Sequence, residues 1–507
     1  MNYNSKLKGE KTFTNYEGAK AYAMTPELEL YTAVVTASLS DTTYESDDER
    51  VKRIAILTGK VSPEFVARLA VYTRTRMNLR SIPLLLLVEL AKIHNGDDLV
   101  ARAVEKTVLR ADEIMELLMC YQWRNPSADP RKKLGRLSRQ IQNGLQRAFN
   151  RFDEYQFAKY DRSGLEVKLR DALFLVHPKA KDERQQQLFN KIANRELEIP
   201  YTWETELSAL GQQKFESDEQ RQAAFRDKWE ELIDSHKLGY MALMRNLRNM
   251  LQSDVSLPQM MDVAARLSNA EQVDTSKQLP FRYLSAYREI EKVNSAHTTM
   301  LMNALETAVQ CSAANIEGFD ENTRVLLASD VSGSMWTPVS ARSTVQNYDI
   351  GLLLSMLLRS RCKEVVAGIF GDSWKVVNMP NDNILMATQQ LRSMAGQVGY
   401  STNGYKVIDW LISNKMAMDK VMMFTDMQMW DSSGRDQHFE KSWKKYKAMC
   451  PEAKMYLFDL SGYGQLPLRL VEPDVYLIAG WSDRIFDVLK AIDQGQDALD
   501  VINQIEV

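Results

Sequence analysis

The chain has 507 residues, 45% of them hydrophobic and 26% charged. That is ordinary globular composition, not that of a disordered chain, and the length fits two or more domains. With 64 Lys+Arg against 67 Asp+Glu the formal net charge is −3, which excludes a uniformly basic nucleic-acid coat but leaves room for a local basic patch.

From the N-terminus to about residue 318 the pattern is helical almost throughout, with apolar residues recurring at three- and four-residue spacing. Met1–Lys6 lacks the apolar core of a signal peptide. Thr25-Pro26-Glu27 opens a helix running toward Ser40. Ser62-Pro63-Glu64 opens another, with Ser62 as N-cap and Pro63 in the first helical position. Asn95-Gly96 ends the helix that contains Leu84 to Ile93. The longest apolar run, Ile82–Val88, is too short to span a bilayer and contains Pro83. Asp129-Pro130 opens a third helix. Successive helices with short polar joints predict stacked helical pairs, as in a solenoid, although no fixed-period repeat stands out.

From about residue 320 the style changes. Short apolar strands are predicted at Arg324–Ser329, Glu364–Phe370, Lys420–Thr425, Lys454–Phe458 and Val475–Ala479. Helices are predicted near Val345–Leu358, Asn383–Met394, Tyr405–Ser413, Phe439–Met449 and Ser482–Ile492. This alternation predicts a doubly wound parallel sheet covered on both faces, a Rossmann-like α/β domain over 319–507 behind a helical domain over 1–318. Such sheets bind ligands at the carboxyl ends of their strands. The scattered cysteines, Cys120, Cys311, Cys362 and Cys450, form no C-x-x-C pair. Neither a disulfide framework nor a cysteine zinc site is expected, and a reducing, cytoplasmic setting fits.

The first of these strands runs into Asp330-Val331-Ser332-Gly333-Ser334, a D-x-S-x-S pattern. One carboxylate and two hydroxyls at alternating positions of a tight loop can converge on a hard divalent cation, which prefers oxygen ligands. Two further oxygens are expected from Asp426, after the Lys420–Thr425 strand, and from Thr402 in the loop 399–404. The competing reading makes Ser332 and Ser334 helix caps and Asp426 an ordinary strand-end aspartate. Ser401 competes with Thr402 for the loop position. No G-x-S-x-G, H-E-x-x-H or G-x-x-x-x-G-K-[ST] pattern occurs, and none of the five histidines falls within the strand-end motifs. Recognition rather than catalysis is expected. A hydroxyl-rich single-metal site also differs from the carboxylate-rich two-metal site of a nuclease.

Charge is lopsided elsewhere. Arg131–Arg151 carries seven basic residues and no acidic one: Arg131, Lys132, Lys133, Arg136, Arg139, Arg147 and Arg151. On one continuous helix six of them share an arc of about 120°, opposite Leu134, Leu137, Ile141, Leu145 and Ala148. Such a row would neutralise several phosphates. The alternative is a solvated face balanced by acidic neighbours. A second cluster holds Arg68, Arg74, Arg76 and Arg80, with Arg76 and Arg80 one helical turn apart.

The set Asp330, Ser332, Ser334, Thr402 and Asp426 resembles the metal-ion-dependent adhesion site of von Willebrand factor A domains. A helical solenoid, a basic helix and a terminal domain of that type together resemble the Ro autoantigen family, the TROVE-domain proteins. Val325–Met335 resembles the family's first strand and metal loop, and Met423–Asp426 its second acidic strand end. Leu243–Met250 is similar to its A-L-L-R-N-L helix. Leu279–Arg282, Ala158–Tyr160 and His177–Lys179 resemble further segments. Where the family often has G-G-T-D, this chain has Tyr400-Ser401-Thr402-Asn403.

The resemblance implies a closed ring of HEAT-like helical repeats bridged by the adhesion-type domain, and so a monomer. It implies Mg²⁺ or another divalent cation at the adhesion site. It implies small structured Y RNAs on a basic outer surface and single-stranded 3′ ends of misfolded noncoding RNAs in a basic hole. Lys159 and Arg162 fall near the family's Y RNA-contacting segment, His177 is a further candidate, and Arg74, Arg76 and Arg80 would line the RNA path. Bacterial relatives imply partners such as polynucleotide phosphorylase, an exoribonuclease, or RNA-repair enzymes. An RNA-binding ribonucleoprotein scaffold, not an enzyme, is the leading expectation. A metal-dependent protein adaptor that docks a partner carboxylate is the alternative.

Overall fold

The computed structural model describes residues 12–37, 44–126, 136–161, 164–312, 322–340, 343–378, 383–432, 438–468, 474–481, 485–493 and 496–507. The chain divides into two compact units, one of residues 1–52 with 229–501 and one of 53–228 with 502–507.

The unit of residues 53–228 is helical. Ser62 caps Pro63–Thr75 through its hydroxyl, which accepts from the Phe65 N–H at 3.2 Å, with Pro63 in the first turn. The helices Ser81–Ile93, Leu99–Thr107, Asp112–Arg124, Arg139–Phe149, Leu169–Val176 and Glu183–Asn194 follow. They bury Leu, Val, Ile and Phe at three- and four-residue spacing. Gly144 lets Arg139–Phe149 press on Leu99–Thr107, since a Cβ there would lie 2.5 Å from Val104 Cβ.

The other unit is built on a six-stranded sheet. Its strands are β3 (Arg324–Asp330), β4 (Glu364–Phe370), β5 (Trp374–Val376), β6 (Lys420–Thr425), β7 (Lys454–Asp459) and β9 (Val475–Ala479). The order is β5-β4-β3-β6-β7-β9. All pairs are parallel except the edge strand β5, which runs antiparallel to β4. Every residue of β6 and β9 is buried, as expected of strands sandwiched between helix layers. Helices from the 229–312 region belong to this unit. Arg288 grips Asp349 with two bonds of 2.6 and 2.9 Å, both side chains buried. The Glu306 carboxylate accepts from the Leu385 and Met386 N–H groups, at the positive start of helix Ile384–Met394.

The N-terminal segment, expected to be helical, begins instead with a hairpin. β1 (Thr12–Thr14) pairs with β2 (Lys20–Ala23), and β2 pairs with β8 (Gln465–Leu466). The turn between β1 and β2 is closed by Asn15, whose Oδ1 accepts from the Glu17 and Ala19 N–H groups. Gly18 sits there at φ +81°, a conformation that favours glycine. The helix after it spans Pro26–Val35, capped by Thr25, and ends short of the Ser40 expected from the sequence because Thr36 caps it.

Candidate functional site

The parallel register places three acidic strand ends side by side. Asp330 closes β3, Asp459 closes β7, and Asp426 follows β6. Asp330 is fully buried. Its Oδ1 accepts from the Ser332 N–H at 2.9 Å, and its Oδ2 accepts from the Thr425 hydroxyl at 2.7 Å. Ser332 and Ser334 follow in the tight loop, with their Oγ atoms 3.4 Å apart. Asp426, also fully buried, accepts from the Gln428 N–H through Oδ1 at 3.0 Å. Its Oδ2 is buried with no donor at normal hydrogen-bond distance among the described residues, although the nearby Ser334 hydroxyl opposes the rise of its carboxyl.

Burial pushes the Asp330 carboxyl above its ordinary range, opposed by the Ser332 and Thr425 bonds. Burial also raises Asp426, and the neighbouring charge of Asp330 adds to it. No Lys, Arg or His side chain pairs with either carboxylate among the described residues.

The loop 399–404 reaches this site through one main-chain bond, the Gly333 N–H to the Tyr400 carbonyl at 2.9 Å. It offers two hydroxyls, and their surroundings separate them. Ser401 bonds Asp372 through its N–H at 2.8 Å and through its side chain, which holds the Asp372 carboxyl below its ordinary range. Thr402 is buried. The structure therefore brings Asp330, Ser332, Ser334 and Asp426 to one set of strand ends, with Thr402 buried in the adjoining loop.

The basic segment looks different from its expected form. Lys132, Lys133 and Arg162 lie outside the described residues. The helix starts only at Arg139, with Ser138 in the N-cap position, so Arg136 precedes it and the common arc does not hold. Ile141, Leu145 and Ala148 are buried as expected. Arg136 and Arg139 are exposed. Arg147 pairs with Glu105 at 3.1 Å and Asp98 at 3.7 Å. Arg151 bonds the Glu105 and Val108 carbonyls. Lys159 lies over the rings of Tyr155 and Tyr160. His177 is an exposed helix C-cap at φ 52°, its carbonyl accepting from Gln146.

The second arginine cluster is corrected more sharply. Arg74 is buried against Glu113 at 2.8 Å, so it is structural in this unit and offers no surface to RNA. Arg80 pairs with Asp112 at 2.7 Å and Glu116 at 3.1 Å. Arg76 is exposed, but it caps helix Pro63–Thr75 while Arg80 stands before the next helix. The two share no helical face.

The comparisons with known proteins bear on the whole chain. The TROVE domain family model matches residues 28–228 and 194–318. The Ro60 vWA domain model matches residues 324–490. The chain belongs to the TROVE-domain Ro family. Members of the Ro family are RNA-binding proteins. Telomerase protein component 1 of Mus musculus is 38% identical over 99 residues, and that of Rattus norvegicus 36%. Each match covers 20% of this chain and 3% of the relative's length. The crystal structure of the Deinococcus radiodurans Ro (RSR) protein shares the fold, with a TM-score of 0.56 and 17% identity over 93% of this chain and all of that one.

Two groups in this Ro-family chain escaped the sequence reading. Asp459 adds its charge beside Asp426; its place as the last residue of an apolar strand parallel to β6 was the available signal. The other is a surface in the helical unit. Residues 131–184 hold 14 Lys+Arg and seven Asp+Glu. Gln142 and Gln146 donate to the Val176 carbonyl, and Asn150 donates to that of Lys179. These bonds lay the His177–Lys181 stretch along the helix that Arg139 starts. Arg136, Arg139, Lys168 and Lys179 are exposed there. In the same helical unit Trp123, Tyr155 and Phe174 are exposed at 52%, 46% and 50%. Each carries a cation over its ring: Arg124 at 5.6 Å, Lys159 at 5.8 Å and Arg170 at 5.2 Å.

The strand-end residues fit a hard cation. Two buried carboxylates without a basic partner are costly unless a positive charge joins them. The donor set of carboxylates and hydroxyls is all oxygen, which suits Mg²⁺ or Mn²⁺ better than a softer ion.

Proposed function

We propose that this Ro-family chain is the RNA-binding scaffold of a small ribonucleoprotein. In this reading it holds Y-like small noncoding RNA and the single-stranded 3′ ends of structured or misfolded RNAs, for quality control or processing in the cytoplasm. The observation that carries it is that residues 123–184 expose both cations, Arg136, Arg139, Lys168 and Lys179, and aromatic rings, Trp123, Tyr155 and Phe174. Cations of this kind neutralise phosphates, and aromatic faces stack unpaired bases with little regard to sequence. An exoribonuclease such as polynucleotide phosphorylase, or an RNA-repair enzyme, would act on the RNA so presented, with the scaffold working as a monomer.

A divalent cation, Mg²⁺ in the first instance, would be held by Asp330, Ser332, Ser334 and Asp426, with Thr402 supplying a further oxygen. Bound there, it would neutralise the buried carboxylates and offer one coordination position to an outside oxygen. Asp330 is positioned for this by the Thr425 hydroxyl and the Ser332 N–H.

The test is to purify the protein from its native host at moderate salt and sequence the RNA that accompanies it. A few enriched small structured RNAs, lost at high salt and lost in Arg136→Glu/Arg139→Glu, are the expected result. Protein free of RNA at about 50 mM salt, where phosphate contacts are strongest, would overturn the reading.

A further inference from the structure

The strand-end site has a cover made by the chain itself. The hairpin turn Asn15–Gly18 lies against the loop after Asp426. Asn15 Nδ2 donates to the Met429 carbonyl at 3.0 Å, and the Tyr16 N–H donates to Gln428 Oε1 at 3.0 Å. Gln428 in turn holds Asp426, through its N–H to Oδ1 at 3.0 Å. A second piece of the N-terminal region joins from the side. The Tyr16 and Tyr44 rings stack with centroids 5.0 Å apart and planes 5° apart. Both meet the edge of Tyr463, at 5.7 and 5.4 Å. Arg50 lies over Tyr463 and donates to the Ser461 carbonyl at 2.6 Å.

At the centre of this cover is a carboxylate. The Tyr44 hydroxyl donates to Glu17 Oε1. Burial and the Glu17 carboxylate push the Tyr44 phenol up, the charge of Asp426 adds to this and Ser334 opposes it, so both residues lie near the phenol. Glu17 is thus one phenol away from a hydroxyl of the strand-end set. Glu17 and the strand-end set therefore share one neighbour, Tyr44, and a bridging water would carry the Glu17 carboxylate to an ion at that set.

We propose that Glu17 is an internal ligand of the metal site, the chain's own carboxylate taking the position that an outside carboxylate would otherwise fill. This rests on the reading that Asp330, Ser332, Ser334 and Asp426 hold a divalent cation. Three observations converge on it. Asp330 and Asp426 are buried with no basic side chain paired to either among the described residues, so the site lacks positive charge. The turn that carries Glu17 is fastened to the loop that holds Asp426. Tyr44 links the Glu17 carboxylate to Ser334. The bland alternative is that Glu17 exists only to hold Tyr44 in place. A neutral acceptor would serve that purpose equally well.

The two are separated by Mn²⁺ binding to the full-length chain, read by electron paramagnetic resonance of the free ion. Glu17→Gln keeps an acceptor for Tyr44 and removes the charge. It is expected to weaken Mn²⁺ binding by about tenfold or more, the loss typical of removing a group that supports a metal. Glu17→Ala should weaken it as much, and acetate should restore part of the affinity in that variant while leaving wild type unchanged. Mn²⁺ binding in wild type that survives Asp330→Ala, or no binding at all, would sink the metal reading and Glu17 with it. Binding that depends on Asp330 but is unchanged in Glu17→Gln would overturn the Glu17 assignment alone.

Discussion

The two candidate binding regions of this chain are opposites in how they hold charge. At the strand ends, two carboxylates are buried with no basic partner, and the surrounding hydroxyls and N–H groups only partly compensate them. Between residues 123 and 184, Arg136, Arg139, Lys168 and Lys179 are exposed, whereas the cations over the aromatic rings, Arg124, Lys159 and Arg170, are half-buried and Arg124 pairs with Glu89 at 2.6 Å. A buried charge that lacks a partner costs stability until its ligand arrives, so binding and folding are coupled there. An exposed cation costs little either way, so ligand binding is governed by salt and leaves the fold untouched. Mutations should therefore move stability in one region and affinity in the other.

The largest effect tests that division where the sequence was misleading. Arg74 belongs to an arginine-rich stretch but is buried against Glu113. Arg74→Ala would leave the fully buried Glu113 carboxylate with the Leu109 and Arg110 N–H groups on Oε2 and, as its basic partner, the longer 3.6 Å approach of Arg80. The expected loss is about 3 kcal/mol of stability, in the range for breaking a buried pair. It should show as a lower midpoint in urea, with RNA affinity of the folded protein unchanged. A stable variant that has lost RNA would return Arg74 to the surface group.

Next comes the metal. Mg²⁺ at 100 times its Kd should stabilise wild type by about 2.7 kcal/mol and Asp426→Asn hardly at all, measured by thermal melts. Without metal, Asp426→Asn should melt above wild type near pH 8, because it removes one of two like buried charges. The pH dependence follows with a definite sign. Both carboxyls titrate above their ordinary range, so the folded chain keeps protons that the unfolded chain has released. Their contribution to stability is present in acid and is lost as pH rises through the folded values. The melting gain from Mg²⁺ should accordingly be larger near pH 8 than near pH 5. An equal gain at both would contradict burial of the pair.

These two regions were legible in the sequence to different degrees. Strand-end residues could be found because an apolar run that ends in Asp-x-Ser-x-Ser carries both the secondary structure and the chemistry. The expected strands Glu364–Phe370, Lys420–Thr425 and Val475–Ala479 match the observed ones residue for residue. The basic face was harder to read. Charge periodicity from Lys132 to Arg151 implies one helix, whereas the helix starts only after Ser138. Burial of Arg74 depends on Glu113, and balance of Arg147 on Glu105 and Asp98. No spacing within a segment reveals partners on another helix. The same holds for the hairpin of β1 and β2, whose place is set by β8 more than 400 residues away.

On the exposed face, Arg136→Glu/Arg139→Glu should leave the melting temperature within the small range of ordinary surface changes, about 0.5 kcal/mol. The logarithmic salt slope of RNA binding should flatten by about two, one for each phosphate that is no longer neutralised. Filter binding between about 50 mM and about 200 mM salt measures it. A flattened slope together with a fallen melting temperature would mean that these arginines hold the fold.

The smallest effect sharpens the comparison within one helix. Arg139 and Arg147 lie on the same element, Arg139–Phe149. Arg139 is exposed, whereas Arg147 stands between Glu105 and Asp98. To reach a phosphate, Arg147 would have to leave two carboxylates whose negative charge also repels the RNA. Arg147→Ala should therefore reduce RNA affinity less than Arg139→Ala and change the salt slope little. Its stability cost should be that of an exposed ion pair, about 0.2 to 1 kcal/mol. Equal losses of RNA affinity from the two alanine variants would show that Arg147 abandons its partners on binding. In that case Glu105→Gln, which frees Arg147 from its nearer carboxylate, should tighten RNA binding.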